Sequence, residues 1–152
     1  MSQHDEFIRR CYELAVSAAN KGNHPFGAVL VHNGRIIVEA ENTVTTGDDQ
    51  TRHAELNLVV EAQRAYPLSV LHESILYSST APCAMCAAAM WSSGIRKVVY
   101  GVAYETFANM IPGKYRYMPI EELYERLGTP LESVRGVLEE EGVKVYDHWP
   151  EP

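Results

Sequence analysis

Thr80-Ala-Pro-Cys-Ala-Met-Cys86, taken together with His53-Ala-Glu55 about thirty residues upstream, is the pair of segments around which the chain is organised. A Cys-x-x-Cys pair alone is common to redox motifs, zinc ribbons and chance. Preceded by Pro82 and matched with a His-x-Glu, it is far more specific. The flanking residues place each half in the first turn of a helix. Thr51 caps a helix from Arg52 to about Ala65, which Pro67 ends. Cys83 to Ser93, rich in Ala and Met, is a second helix closed by Gly94. Residues three apart on a helix share a face, so Cys83 and Cys86 reach one metal ion. The partial positive charge of a helix N-terminus favours thiolate over thiol. One imidazole and two thiolates make three ligands, with no convincing fourth nearby. Structural zinc is usually closed by four protein ligands, whereas catalytic zinc keeps a position open for water.

Working outward, Asp5 to Lys21 has Phe7, Ile8, Cys11, Leu14, Ala15 and Ala18 at helical spacing, with Gly22 as the stop. Gly27 to His32 and Arg35 to Glu39 are apolar runs joined by Asn33-Gly34, the strongest short signal for a hairpin. Asn42 to Gln50 is a polar loop. Ser74 to Ser78 is a strand, Thr80 to Pro82 a turn, and Arg96 to Tyr100 a further strand ending at Gly101. Helix, hairpin, helix, strand, helix, strand implies an α/β sandwich with a mixed sheet. Ala103 to Met118 reads as a long loop with one turn of helix, and Ile120 to Leu127 as a short helix after Pro119. Thr129-Pro-Leu-Glu132 has the form of a capping box. On that reading a helix ends at Gly142 before a strand from Val143 to Tyr146.

Composition narrows the function. The chain has 152 residues, enough for one domain with a single core, and is 46% hydrophobic and 22% charged. Its formal net charge is −7, with Arg9-Arg10 and Arg96-Lys97 as its only basic pairs of neighbours. Proteins that grip nucleic-acid backbones usually carry a basic face, so a polynucleotide substrate is disfavoured. Three cysteines cannot build a disulfide framework, and Cys11 reads as a small buried hydrophobe. His4, His24, His32, His72 and His148 read as surface or satisfied histidines. No run of roughly 18 apolar residues suggests a membrane span. The first residues lack the features of a signal peptide, and a reducing cytoplasm is the expected location.

The His-x-Glu and Pro-Cys-x-x-Cys signature resembles that of the cytidine-deaminase-like superfamily of zinc-dependent aminohydrolases. The resemblance runs from Asp5 to Gly101. It implies a three-layer α/β/α sandwich around a mixed sheet of about five strands, forming a single deaminase domain over 1–152. Against the capping-box reading, it also implies a strand near Glu132 to Gly136 and a last helix from about Leu138. One Zn2+ per subunit is implied, held by His53, Cys83 and Cys86, with Glu55 shuttling protons between attacking water, ring nitrogen and leaving amine. The backbone N–H groups of Cys83 and Ala54 are expected to steady the tetrahedral intermediate, and the Ala81 carbonyl to accept from the departing amine. Phe26 is expected to line the base pocket. The stretch from Glu41 to Glu55 is especially similar to bacterial guanine and purine nucleoside deaminases, in which the residue matching Asn42 binds substrate; shaping the turn after the hairpin is the plainer role for Asn42.

Relatives of this kind commonly form homodimers. A small guanine-like substrate is expected first, a cytosine-type one second, and transfer-RNA adenosine third because of the acidic charge. The chain departs from each pattern. Tyr104-Glu-Thr-Phe-Ala-Asn-Met110 stands where guanine deaminases often carry Phe-Asp-Asp, and the Lys-Thr-Gly segment and basic C-terminal helix of transfer-RNA adenosine deaminases are missing. Tyr146-Asp-His-Trp149 is similar to the aromatic and carboxylate that close the pocket of yeast-type cytosine deaminases, with a Trp-capped surface tail as the alternative. Two other classes compete: a deaminase-fold protein that binds without turnover, and a thiol-disulfide protein using Cys83 and Cys86.

Overall fold

A computed structural model describes residues 2–111 and 118–150. Helix α1 (Asp5–Asn20) leads into a hairpin of β1 (Gly27–His32) and β2 (Arg35–Glu41). Then follow α2 (Ala54–Ala65), α3 (Leu68–Glu73), β3 (Ile75–Thr80), α4 (Ala84–Ser92), β4 (Lys97–Val102) and α5 (Tyr104–Met110). The chain closes with α6 (Ile120–Arg126), β5 (Glu132–Val134), α7 (Glu139–Gly142) and a 3₁₀ helix (Val143–His148). The five strands lie in the order β2-β1-β3-β4-β5. β1 is antiparallel to β2 and β3, and β4 is parallel to β3 and β5. The expected mixed α/β sandwich is therefore present.

The alternation of β1 makes the layers. Ala28 and Leu30 face a core built with Leu58 and Ala62 of α2, Leu71 of α3, Met90 of α4 and Tyr124 of α6. Val29 and Val31 face the other side, where Ile8, Cys11 and Leu14 of α1 meet Val145 and Tyr146 of the 3₁₀ helix. The packing of α1 on β1 is so close at Gly27 that a Cβ there would lie 2.6 Å from the Leu14 Cβ and 2.9 Å from the Ala15 nitrogen. Asn33 and Gly34 turn the hairpin at φ of 51° and 77°, the double positive φ that makes Asn-Gly favourable. Among the described residues no helix is long and apolar enough to cross a membrane.

Several boundaries differ from expectation. The helix expected from Arg52 begins at Ala54, with His53 as its N-cap. Thr51 instead donates through both its amide and hydroxyl to Asp49 Oδ1, at 2.9 and 2.7 Å, so it closes the preceding turn. Cys83 is likewise the residue before α4. Pro67 ends α2 by forcing Tyr66 into an extended conformation, φ −136° and ψ 150°, and its own fixed φ then leads into the unexpected α3. The region after Ala103 holds two turns of helix in α5, not one, and residues 112–117 of the expected loop lie outside the described residues.

The strand near Glu132 and the last helix from about Leu138 that the resemblance implies are present, as β5 and α7, and the capping-box reading of Thr129 to Glu132 is overturned. Glu132 donates its N–H to the Arg96 carbonyl, and Glu132, Ser133 and Val134 pair with Lys97, Val98 and Val99. An open edge of β4 would present unpaired backbone groups, and covering it outweighs the local capping signal. Gly136 and Leu138 then take φ of 74° and 51°, which no continuous α-helix allows. Val143 to Tyr146, read on the same basis as a strand, is 3₁₀ helix.

Candidate active site

β3 delivers the chain at Thr80 to the turn Ala81-Pro82, which leads directly into α4. The Ala81 N–H donates to the Val102 carbonyl at 2.8 Å, tying this turn to the end of β4. The N-termini of α2 and α4 meet here, beyond the C-terminal ends of parallel β3 and β4, where α/β sheets usually place their ligands. His53 Nδ1 lies 3.4 Å from Cys83 Sγ. The ligating atoms of His53, Cys83 and Cys86 all fall within 4.8 Å of one another. Zinc with Zn–S near 2.3 Å and Zn–N near 2.0 Å in a tetrahedron sets an N···S separation of about 3.5 Å, so this donor set fits the metal.

The electrostatics point the same way. The hydrogen bond from Cys86, aided by His53, pulls the Cys83 thiol well below the usual thiol range. The same contact with Cys83, and then burial, drives Cys86 upward. His53 is held toward its protonated form, first by its bond to Cys83. Two thiolates this close repel each other, and a divalent cation lets both ionise. Glu55 points into the same space with only 6% of its surface exposed. Burial, then the neighbouring Cys83 charge, pushes its carboxyl up to about 7.

Above these groups is a cavity of about 260 Å³. His53, Glu55 and Cys83 form its base, Asn42, Thr80 and Ala81 its polar edge, and Phe26, Phe107, Trp149 and His24 the remaining wall. Phe26 meets Phe107 and Trp149 edge to face, each with centroids 5.7 Å apart, and His24 stacks on Trp149 at 5.0 Å. Asn42 is buried, and its Oδ1 accepts from the Val44 N–H at 3.0 Å. Since Val44 requires an acceptor, the amide orientation is fixed. No hydrogen bond among the described residues occupies Nδ2, which is left to serve the cavity. Ala54 is buried at the head of α2 and takes no part in the wall.

Of the two readings of the C-terminal segment, Trp149 belongs to the pocket. Tyr146 anchors it from behind through a 2.6 Å hydroxyl contact with Thr80, while Asp147 is exposed and outside the wall. Three wall residues were not legible as such. His24 read as a surface or satisfied histidine, Phe107 fell in an expected loop, and Thr80 had only its place in the turn to mark it.

Residues 1–102 match the model of the cytidine and deoxycytidylate deaminase zinc-binding region. The chain belongs to that family. It is a hydrolytic deaminase with zinc as its cofactor, and the His53, Cys83 and Cys86 group is able to hold the ion. It is 34% identical to the guanine deaminase of Bacillus subtilis over 133 residues, covering 86% of this chain and 85% of that one. It is 35% identical to the tRNA-specific adenosine deaminase of the same organism over 148 residues, covering 93% and 84%. A probable cytosine deaminase of Schizosaccharomyces pombe is 30% identical over 145 residues, covering 90% and 86%. A solved chain from work on tRNA:A34 deaminases superposes with a TM-score of 0.76 at 28% identity, covering 92% of this chain and 98% of that one. Three substrate classes thus stand at similar identity.

Proposed function

We propose that the chain is a single-domain deaminase of a free purine of the guanine kind, working as a homodimer in the cytoplasm. The observation that carries this reading is the size and closure of the cavity. At about 260 Å³ it lies at the small end of ligand sites and suits one heterocycle, and the chain's own Trp149 and Phe107 close it. Aromatic faces at this spacing stack on a planar ring. The Nδ2 of Asn42 donates to a carbonyl oxygen or ring nitrogen of the base, which fixes its orientation. The similarity of the Glu41–Glu55 stretch to bacterial guanine deaminases favours a purine.

The reaction replaces an exocyclic amine with a carbonyl and releases ammonia. Zinc, when bound, lowers the pKa of a water toward neutrality and so supplies hydroxide near pH 7. Glu55 receives the proton that the attacking water gives up and passes it to the ring nitrogen beside the reacting carbon. It then takes the remaining hydroxyl proton and delivers it to the amine, which leaves as ammonia while the carbonyl forms. The Cys83 and Ala54 N–H groups lie at helix N-termini, suited to developing negative charge on oxygen. The Ala81 carbonyl, on the cavity edge, accepts from the departing amine.

Ammonia release from guanine, guanosine, cytosine, cytidine, adenine and adenosine tests the reading. Turnover of guanine above the others supports it, and turnover confined to pyrimidines overturns it. A second reading, deamination of adenosine in transfer RNA, is favoured by the 35% identity to such an enzyme. It predicts activity on an anticodon stem-loop that falls steeply with salt. The net charge of −7 weighs against it.

A further inference from the structure

We propose that Asn57 is the positioning residue that holds the substrate-binding and metal-binding ends of the active site in register. It lies on α2, one turn past His53, and neither lines the cavity nor belongs to the metal group. Its Nδ2 donates to the Glu41 carbonyl at 3.0 Å, the Thr43 hydroxyl at 3.0 Å and the Arg52 carbonyl at 3.3 Å. A side-chain amide has two N–H groups, so one of them is shared between acceptors.

The identity of those acceptors matters more than their number. Glu41 immediately precedes Asn42, and Arg52 immediately precedes His53. One amide therefore grips the carbonyls leading into the proposed substrate donor and into the proposed metal ligand, across the loop between β2 and α2. The Thr43 N–H closes the same junction by donating to the Arg52 carbonyl at 3.0 Å. Asn42 is pinned further by its own N–H to the Phe26 carbonyl at 3.0 Å. Asn57 is the side chain that ties the direction of Asn42 Nδ2 to the approach of His53 Nδ1 to the cysteines, in concert with these backbone bonds. The loop tip is secured separately, by Asn23 Oδ1 accepting from the Thr45 and Thr46 N–H groups at 3.0 and 2.9 Å. Removing the Asn57 clamp leaves the loop's base held by the single Thr43 N–H bond to the Arg52 carbonyl, with its tip still attached.

The inference rests on the assignment of His53 and Asn42 in the proposed function, and its two arms are read separately. Asn57→Leu keeps the approximate shape of the side chain and removes its donors. Zinc affinity is measured by competition with a chromophoric chelator, independently of any substrate. Losing a partner that hydrogen-bonds a metal ligand directly typically costs 10–100-fold in metal affinity or activity; Asn57 acts one peptide away, so a rise in the zinc dissociation constant at the lower end, about 10-fold, is expected. The KM for the best substrate is expected to rise about tenfold, with kcat reduced less. Thr46→Val is the control, since it removes the hydroxyl that accepts from Asn23 Nδ2 at 3.1 Å at the loop tip, keeps the two backbone bonds there, and touches neither gripped carbonyl. Asn57→Ala serves if the Leu variant does not fold. Unchanged zinc affinity and KM, or equal losses in Thr46→Val, would overturn the proposal. Loss of zinc affinity in the Asn57 variant with no effect of Asn42→Ala on KM would support the metal arm and reject the role given to Asn42.

Discussion

Deleting one oxygen atom, in Tyr104→Phe, is predicted to destabilise the protein well beyond the loss of an ordinary hydroxyl. Tyr104 is fully buried. Its hydroxyl donates to the Pro82 carbonyl and accepts the Ile120 N–H, each at 2.7 Å. The first contact holds the turn entering Cys83, and the second holds the start of α6. Phenylalanine fills the same volume but leaves a buried carbonyl and a buried N–H unpaired. Each orphaned group costs about 1–3 kcal/mol, or about 2–6 kcal/mol for the pair. For a domain of this size, 1 kcal/mol moves Tm by about 2–4 °C, so a fall of roughly 4–24 °C is expected. Tyr124→Phe is the internal standard, because the acceptor of that buried hydroxyl, the Ile95 carbonyl at 2.8 Å, keeps a second donor in Arg96 Nη1 at 2.9 Å, so well under half the loss should follow. Both variants are melted at one fixed zinc concentration, since a bound ion raises Tm by mass action. A shift in Tyr104→Phe below about 2 °C, or no larger than that in Tyr124→Phe, refutes the reasoning.

Three further outcomes are expected. Glu55→Gln keeps the shape and loses the proton carrier, so turnover should fall about 10²–10⁴-fold while zinc content by metal analysis stays at that of the parent; near-parental turnover rejects the role. Gly27→Ala places a methyl against the Leu14 Cβ and the α1 backbone, and should cost about 3 kcal/mol in urea unfolding; a change under about 0.5 kcal/mol means that α1 sits farther from β1. Zinc should leave as pH falls, because protons compete for His53, Cys83 and Cys86, which bind only when deprotonated; a chelator titration showing equal affinity at pH 5 and pH 8 contradicts a thiolate-imidazole site.

The parts of the molecule that could be read from the sequence are those fixed by neighbours in the chain. Asn33-Gly34 dictates its turn through the φ values of two adjacent residues. The Cys83 to Cys86 spacing brings both sulfurs to one side because a single helical turn does so. The boundary errors arise where a contact outside the local segment intervenes. Thr51 was a sound cap on local grounds, but Asp49 takes its hydroxyl and His53 becomes the cap. Thr129 to Glu132 was a sound capping box, but the open edge of β4 claims Glu132.

The cavity wall obeys the same logic more severely. Phe26 and His24 come from the entry to β1, Phe107 from α5, and Trp149 from beyond the 3₁₀ helix. They meet because α1 packs on β1 and because Tyr146, seated against Thr80, carries Trp149 across the end of the sheet. No short segment encodes that meeting. The metal-binding segments are contiguous and lie within the family region over residues 1–102, and the chain's relatives include guanine, cytosine and transfer-RNA adenosine deaminases alike. The cavity wall proposed to meet the base is assembled from distant positions, none of them a zinc ligand. Selection of the substrate can therefore drift while the hydrolytic chemistry stays fixed, and this is why similarity in the motif carries the reaction further than it carries the base.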